Sequence, residues 1–485
     1  MTDLIRQRGA VRAARSTLRE RARDPLLFVV FISILLIGAT LPNVLVRLDP
    51  LTGDEPFYVM TAISIVRDRD LDESNNYAQR DYDEFYPGDP LPADFQGWPG
   101  FPRDLPPHPA TSTLPGLHTK HGIGLSLLIA LPYELFGRIG ADLVIVLCAG
   151  LLAGQMYLLA REAGAATELA QLIAVGLTIA LPIGPYATLI FPEVPAGLLL
   201  VYAVRRVAAA TNAPWQWLAA GAAIGFLPWL HQRFAPTAAI LALLVAIRIV
   251  QSRAYRSMVL ALIPIALGGV SLLLYNQWLY DQPLQRAEDH AGFSGFTGTV
   301  NGAMGLLLDA QWGLLVAAPV MLLALAAVPR WYEASSRTVI VAAAAVAPYL
   351  MVVAAYRVWW GEWGPSARYL VPVVPFAAGA LAAWLTRAGR SGRIVAGTLW
   401  AVGMVITLVG YLNPQRFYHH PNGVNNLYRR LGDLIGVDLE TALVAFQPYA
   451  QSSFSARFWI SLFTLSLLVG IITRDRRFWR LGTRS

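Results

Sequence analysis

The chain has 485 residues, 55% of them hydrophobic and 14% charged, with a mean hydropathy of +0.48 and a formal net charge of +7. Soluble domains carry about 25% charged residues, so this composition excludes an ordinary water-soluble enzyme, and its apolar content excludes a disordered chain. Long apolar runs recur along the sequence, which reads as an all-α integral membrane protein.

Residues 1–24 form an arginine-rich segment with seven arginines before Asp24. The apolar run at 25–46 is too long for a signal-peptide core and lacks a small-residue cleavage site, so it reads as a retained first span. The next run, 122–138, is short and contains Pro132 and Glu134, which suits a helix lying along the outer face. Further runs follow near 142–160, 169–186, 194–210, 215–230, 234–250, 257–279, 303–329, 337–356, 369–386, 393–412 and 457–473. The run at 303–329 counts as one span with an amphipathic lead-in. With 122–138 kept out of the bilayer, about 12 transmembrane helices remain. Both arginine-rich termini then face the cytoplasm, as do Arg205, Arg206, Arg248, Arg253, Arg256, Arg330, Arg337, Arg387, Arg390 and Arg393. The expected organisation is a membrane module over 25–412 with an outer loop at 47–121, an outer-face segment at 413–456, and a last span and tail over 457–485.

The basic excess thus records topology and membrane lipids, not nucleic acid. Lys120 is the only lysine among 38 basic residues, and Cys148 is the only cysteine, so no disulfide framework exists. No G-x-x-x-x-G-K-[ST] motif is present, so ATP-driven transport has no support in this chain. The outer loop holds thirteen acidic and six basic residues, nearly the opposite balance to the cytoplasmic loops. It also carries Tyr77, Tyr82, Phe85, Tyr86, Phe95 and Trp98, aromatics that favour a packed, functional loop.

That loop opens with Gly53-Asp54-Glu55-Pro56-Phe57-Tyr58. Adjacent carboxylates do not share a helix face, so one can enter a site while the other orients it. Asp54 has two competing readings, a catalytic group or the N-cap of a helix starting near Pro56. The loop closes with His118-Thr119-Lys120-His121. Lysine before a helix can hold a phosphate, or can anchor to lipid headgroups. His118 and His121 lack a defined third ligand, so no metal site is assigned and the reading requires no divalent cation or other cofactor. Glu193, Arg233 and Arg368-Tyr369 stand at other outer-face turns. Together these charges suit transfer from a lipid phosphate, where cations neutralise the leaving group and one carboxylate takes the acceptor proton.

These residues resemble the GT-C glycosyltransferases, in the branch of protein-mannosyltransferases and aminoarabinose transferases. The resemblance rests on Gly53–Tyr58 after the first span, Lys120 before a surface helix, Phe191-Pro192-Glu193-Val194-Pro195 and Arg368-Tyr369-Leu370-Val371-Pro372, in that order. It implies Asp54 as catalytic base with Glu55 beside it, and Glu193, His118 and His121 at the acceptor or sugar pocket. It also implies Lys120, Arg233, Arg368 and Tyr369 at the donor phosphate. The donor would be a polyprenyl-phosphate-linked sugar, mannose or arabinofuranose, transferred with inversion. The acceptor would be a cell-envelope glycan, a glycolipid or a protein, outside a bacterial or archaeal cytoplasmic membrane. A secondary transporter or lipid flippase is the rival reading, but it calls for charges at mid-membrane and two related halves, and no repeat is visible. A non-catalytic scaffold would not need Asp54 and the cations on one face.

Overall fold

A computed structural model describes residues 24–48, 51–86, 104–251, 255–284, 291–419, 423–439 and 443–446. Among these the architecture is helical throughout, with two isolated β-bridges and no strand. The principal helices are α1 (Pro25–Gly38), α2 (Leu41–Arg47), α3 (Glu55–Ile63), α4 (Ser74–Gln79), α5 (Gly124–Glu162), α6 (Thr167–Ile179), α7 (Glu193–Ala208) and α8 (Pro214–Leu230). They continue as α9 (Ala235–Gln251), α10 (Leu262–Tyr280), α11 (Phe296–Leu308), α12 (Val328–Ala355), α13 (Ala377–Leu385), α14 (Arg390–Leu412) and α15 (Asn426–Ile435).

Local chemistry explains where these helices start and stop. Asp24 caps α1 by accepting from Leu26 N at 2.9 Å, with Pro25 at the first helical position. The runs at 122–138 and 142–160 are joined in α5, a stretch of 39 residues broken at Gly137. Gly137 has φ 60° and ψ −150°, a conformation essentially confined to glycine, so the two halves point in different directions. Glu134, in the first half, pairs with Arg67 at 2.9 Å, and Arg67 pairs with Glu84 at 2.7 Å. That half is therefore tied to the polar loop. Both faces of the second half are apolar: Leu143, Leu147 and Leu151 are exposed, while Ile145, Ala149 and Leu152 are buried. A helix that is apolar all round belongs in a core or a bilayer.

Among the described residues, six stretches are long and apolar enough to cross a membrane: 25–47, 124–162, 232–251, 255–280, 328–355 and 390–412. This is half of the twelve expected spans. Helices α6, α7, α8 and α13, at 13, 16, 17 and 9 residues, are shorter than the roughly 20 residues a span requires. The run at 457–473, both arginine-rich termini, Arg253, Phe95 and Trp98 lie outside the described residues.

The run at 303–329 is not one helix, which corrects the expectation of a single span. It divides into α11, Leu314–Ala317 and Val320–Ala326. Asp309 turns the chain by accepting from Gln311 N at 2.8 Å and Trp312 N at 3.0 Å, and Pro319 supplies no backbone donor at the second break. The run at 369–386 likewise opens as two short 3-10 turns, Arg368–Leu370 and Val374–Phe376, before α13. Helix α5 packs on α1, α6 and α7, while α12 packs on α9, α11 and α13. These groups share one apolar core, and the ends of α3, α7, α9 and α12 converge on a single polar site.

Candidate active site

Gly53, at φ 62°, turns the chain into α3. A Cβ there would lie 2.9 Å from Trp363 O and would also adopt a disfavoured backbone conformation. Asp54 occupies the N-cap position of α3, but its side chain makes no capping bond. Its Oδ2 instead accepts from Arg368 Nη2 at 2.5 Å. Glu55, the next residue around the helix, points into the protein interior, where it is fully buried and accepts from Ile190 N at 2.8 Å. The two adjacent carboxylates therefore separate into one site group and one buried group.

Glu193, at the start of α7, is fully buried and links two arginines. Its Oε1 accepts from Arg233 Nη2 at 2.7 Å and from Arg368 Nε at 2.9 Å. Arg368 also donates to Gly361 O at 3.1 Å. Its guanidinium lies 4.4 Å from the centroid of Phe191, and that of Arg233 lies 4.8 Å from the centroid of Tyr369. These ring contacts fix the guanidinium planes. Tyr369 is fixed in turn, because its carbonyl accepts from Tyr349 Oη at 2.8 Å.

The electrostatics of the two neighbouring carboxylates diverge. Burial opposes ionisation of Asp54, but Arg368, and then His121, outweigh it and hold the carboxyl well below the usual range. Burial dominates at Glu55 and pushes it up to about 7 despite opposing attraction from Arg138. Near neutral pH, Asp54 is a carboxylate and Glu55 is divided between its two forms.

The end of the outer loop is held by an antiparallel bridge between Pro109 and Thr119. Ala110 N donates to His118 O at 2.8 Å, and Lys120 N donates to His108 O at 3.2 Å. Tyr280 Oη, at the end of α10, donates to Thr119 O at 3.0 Å. This pairing brings His108 beside His121. The His108 ring stacks on Phe57 with centroids 3.8 Å apart, and burial pushes its imidazole down to about 4. His118 does not join them. Its ring nitrogens lie 2.8 Å from Leu71 O and 3.2 Å from Pro115 O, so it supports the loop.

A cavity of about 510 Å³ opens between these elements. Asp54, Lys120, His121, Arg233, Arg368 and Tyr369 line it. Glu55, Glu193 and His118, expected to line it as well, do not. The cavity also includes His108, Gln232, Tyr356 and Glu362, which no sequence motif flagged. Among the described residues Lys120 has no ion-pair partner. The lining also includes apolar residues, Ala235, Pro236 and Ala239 of α9 with Val352 and Val353 of α12. Asp54, His108 and His121 each offer a ligand atom, all within 4.8 Å of one another. Comparison of the chain with protein-family models, curated proteins and solved structures finds no match.

Proposed function

We propose that this protein is a membrane glycosyltransferase of the GT-C type. It moves a sugar, mannose or arabinofuranose, from a polyprenyl-phosphate donor to a cell-envelope acceptor on the outer face of a bacterial or archaeal cytoplasmic membrane. One observation carries the reading: a single cavity is lined by three cations, Lys120, Arg233 and Arg368, by two carboxylates, Asp54 and Glu362, and by apolar residues of α9 and α12. A polyprenyl-phosphate-linked sugar has the same two-part character, an anionic phosphodiester head on a hydrocarbon tail. The twelve-span topology with both termini inside belongs to this reading. Its support is the polarity of α7, which runs from Glu193 at the site to Arg205 and Arg206 about 18–20 Å away.

In this reading the donor phosphate binds Lys120, Arg233 and Arg368. Arg368 exchanges its bond to Asp54 for one to a phosphate oxygen, leaving Asp54 Oδ2 free to accept a proton. The acceptor oxygen then forms its bond to the anomeric carbon while the bond from that carbon to the phosphate oxygen breaks. The electron pair leaves with the phosphate, stabilised by the cations, and the acceptor proton passes to Asp54. Glu193 keeps the two arginines together and touches neither substrate.

The same cavity would also suit a flippase that carries lipid phosphates without cleaving them. The discriminating experiment supplies purified protein in nanodiscs with a polyprenyl-phosphate donor radiolabelled in the sugar, together with envelope glycan. Label moving to the glycan supports transfer. Label that stays on the lipid while the lipid changes leaflet supports the flippase.

A further inference from the structure

We propose that Asp54, His108 and His121 form a divalent-metal site of the zinc class on the wall of the cavity. Their ligand atoms lie within 4.8 Å of one another. A point equidistant from three atoms at that spacing is about 2.8 Å from each, so side-chain shifts of about 0.7 Å reach the 2.0–2.2 Å of Zn–N and Zn–O bonds. Two imidazoles and one carboxylate are a donor set suited to Zn2+, with further coordination positions left for oxygen ligands.

Three observations favour a built site. His108 Nδ1 is buried and makes no hydrogen bond among the described residues, so a ring nitrogen remains unused. Phe57 stacks against both imidazoles, at 3.8 Å for His108 and 5.4 Å for His121, which fixes their planes with the rings 5.9 Å apart. The Pro109–Thr119 bridge brings the two histidines together from separate parts of the loop. A carboxylate has about four lone-pair sites, so Asp54 can ligate through one oxygen while Arg368 keeps the other. The remaining positions on the metal face the cavity, where they take water or an oxyanion such as phosphate. This inference rests on donor geometry and stands whether or not the cavity transfers a sugar.

The test uses the full-length protein, stripped with a chelator and titrated with Co2+, whose visible absorption reports its ligands. The expected result is saturable binding of one Co2+ per chain, displaced by Zn2+. Affinity should fall by at least 10-fold in His108→Ala and in His121→Ala, since even outer-shell changes at metal sites cost about 10- to 100-fold. Cys148→Ser should leave the spectrum unchanged, because the cysteine is not a ligand. Absence of saturable Co2+ binding by the wild-type protein overturns the site. So does an unaltered spectrum in both histidine variants, and neither result depends on how well any variant folds.

Discussion

Asp54 and Arg368 are 314 residues apart in the chain, yet their side chains meet in a 2.5 Å ion pair at the charged end of the cavity. Arg368 is buried, and its other donors reach Glu193 and Gly361. In the proposed mechanism the protein thus holds its reactive carboxylate with the same cation that the donor phosphate would draw away. Removing either partner should have consequences that a surface salt bridge would not.

Asp54→Asn keeps the size of the side chain but loses the proton acceptor. Sugar transfer should fall by about 10²–10⁴-fold, while donor affinity is retained or increased because Arg368 is no longer neutralised. Asparagine caps helices about as well as aspartate, and Asp54 makes no capping bond here, so the fold should survive. Transfer of radiolabelled sugar and donor binding are measured on the same preparation. A near-wild-type rate would remove the base from the mechanism.

Lys120→Ala should weaken donor binding about 10- to 150-fold, the equivalent of about 1.5–3 kcal/mol for a charge-assisted hydrogen bond. Lys120 lines the cavity without an ion-pair partner among the described residues, so the change should not lower the melting temperature. Titration of the lipid donor in detergent checks both points. Unchanged affinity would make Lys120 an interface anchor.

The buried Glu55 and Glu193 should respond differently to amide substitution. Glu193→Gln removes the countercharge from Arg233 and Arg368, whose bonds to it measure 2.7 Å and 2.9 Å. Breaking such a buried pair costs about 3–5 kcal/mol, so thermal stability and transfer should fall together. Glu55 sits near 7 through burial and is partly neutral already, so Glu55→Gln should shift melting by much less. Equal losses in the two variants would contradict the assignment.

Glu73 lies in the outer loop, away from the cavity. Thr61 Oγ1 is 2.9 Å from Phe57 O and 2.6 Å from Glu73 Oε1. The Thr61 hydroxyl donates toward both acceptors, and its bond to Glu73 favours the carboxylate while burial opposes it more strongly. Burial pushes Glu73 from 4.5 up to about 8. The native state then binds more protons than the unfolded state between those values, and stability falls as pH rises from 4.5 to about 8. Glu73→Gln should flatten that part of the melting profile. A wild-type slope in the variant would show that another group is responsible.

The proposed topology makes the outer loop and the arginine-rich loops reside on opposite sides of the membrane. In a Cys148→Ser background, Ala78→Cys should react with an impermeant thiol reagent in intact cells, and Arg390→Cys only after lysis. Both positions are exposed, so accessibility within the protein does not confound the comparison. The reverse pattern would overturn the orientation and the outward-facing enzyme with it.

The sequence by itself determined what depends on local composition. Apolar runs with few charges require a bilayer or a core, and helices satisfy their own backbone in either, so the helical membrane character was legible. Asp54, Lys120, Arg233 and Arg368 stood out because ionisable residues beside apolar runs are costly without a task. The tertiary structure decided what depends on partners distant in the chain. Helix phase and packing turned Asp54 toward the cavity and Glu55 into the interior, a choice that adjacency alone leaves open. Glu193 withdrew behind two arginines, and His118 became a loop support. His108 sits in a proline-rich loop with no periodicity, and only a backbone bridge to Thr119 brings it to His121. Hydropathy also could not reveal the break at Asp309, because it averages over a run, whereas a carboxylate bonded to two backbone donors redirects the chain at one residue.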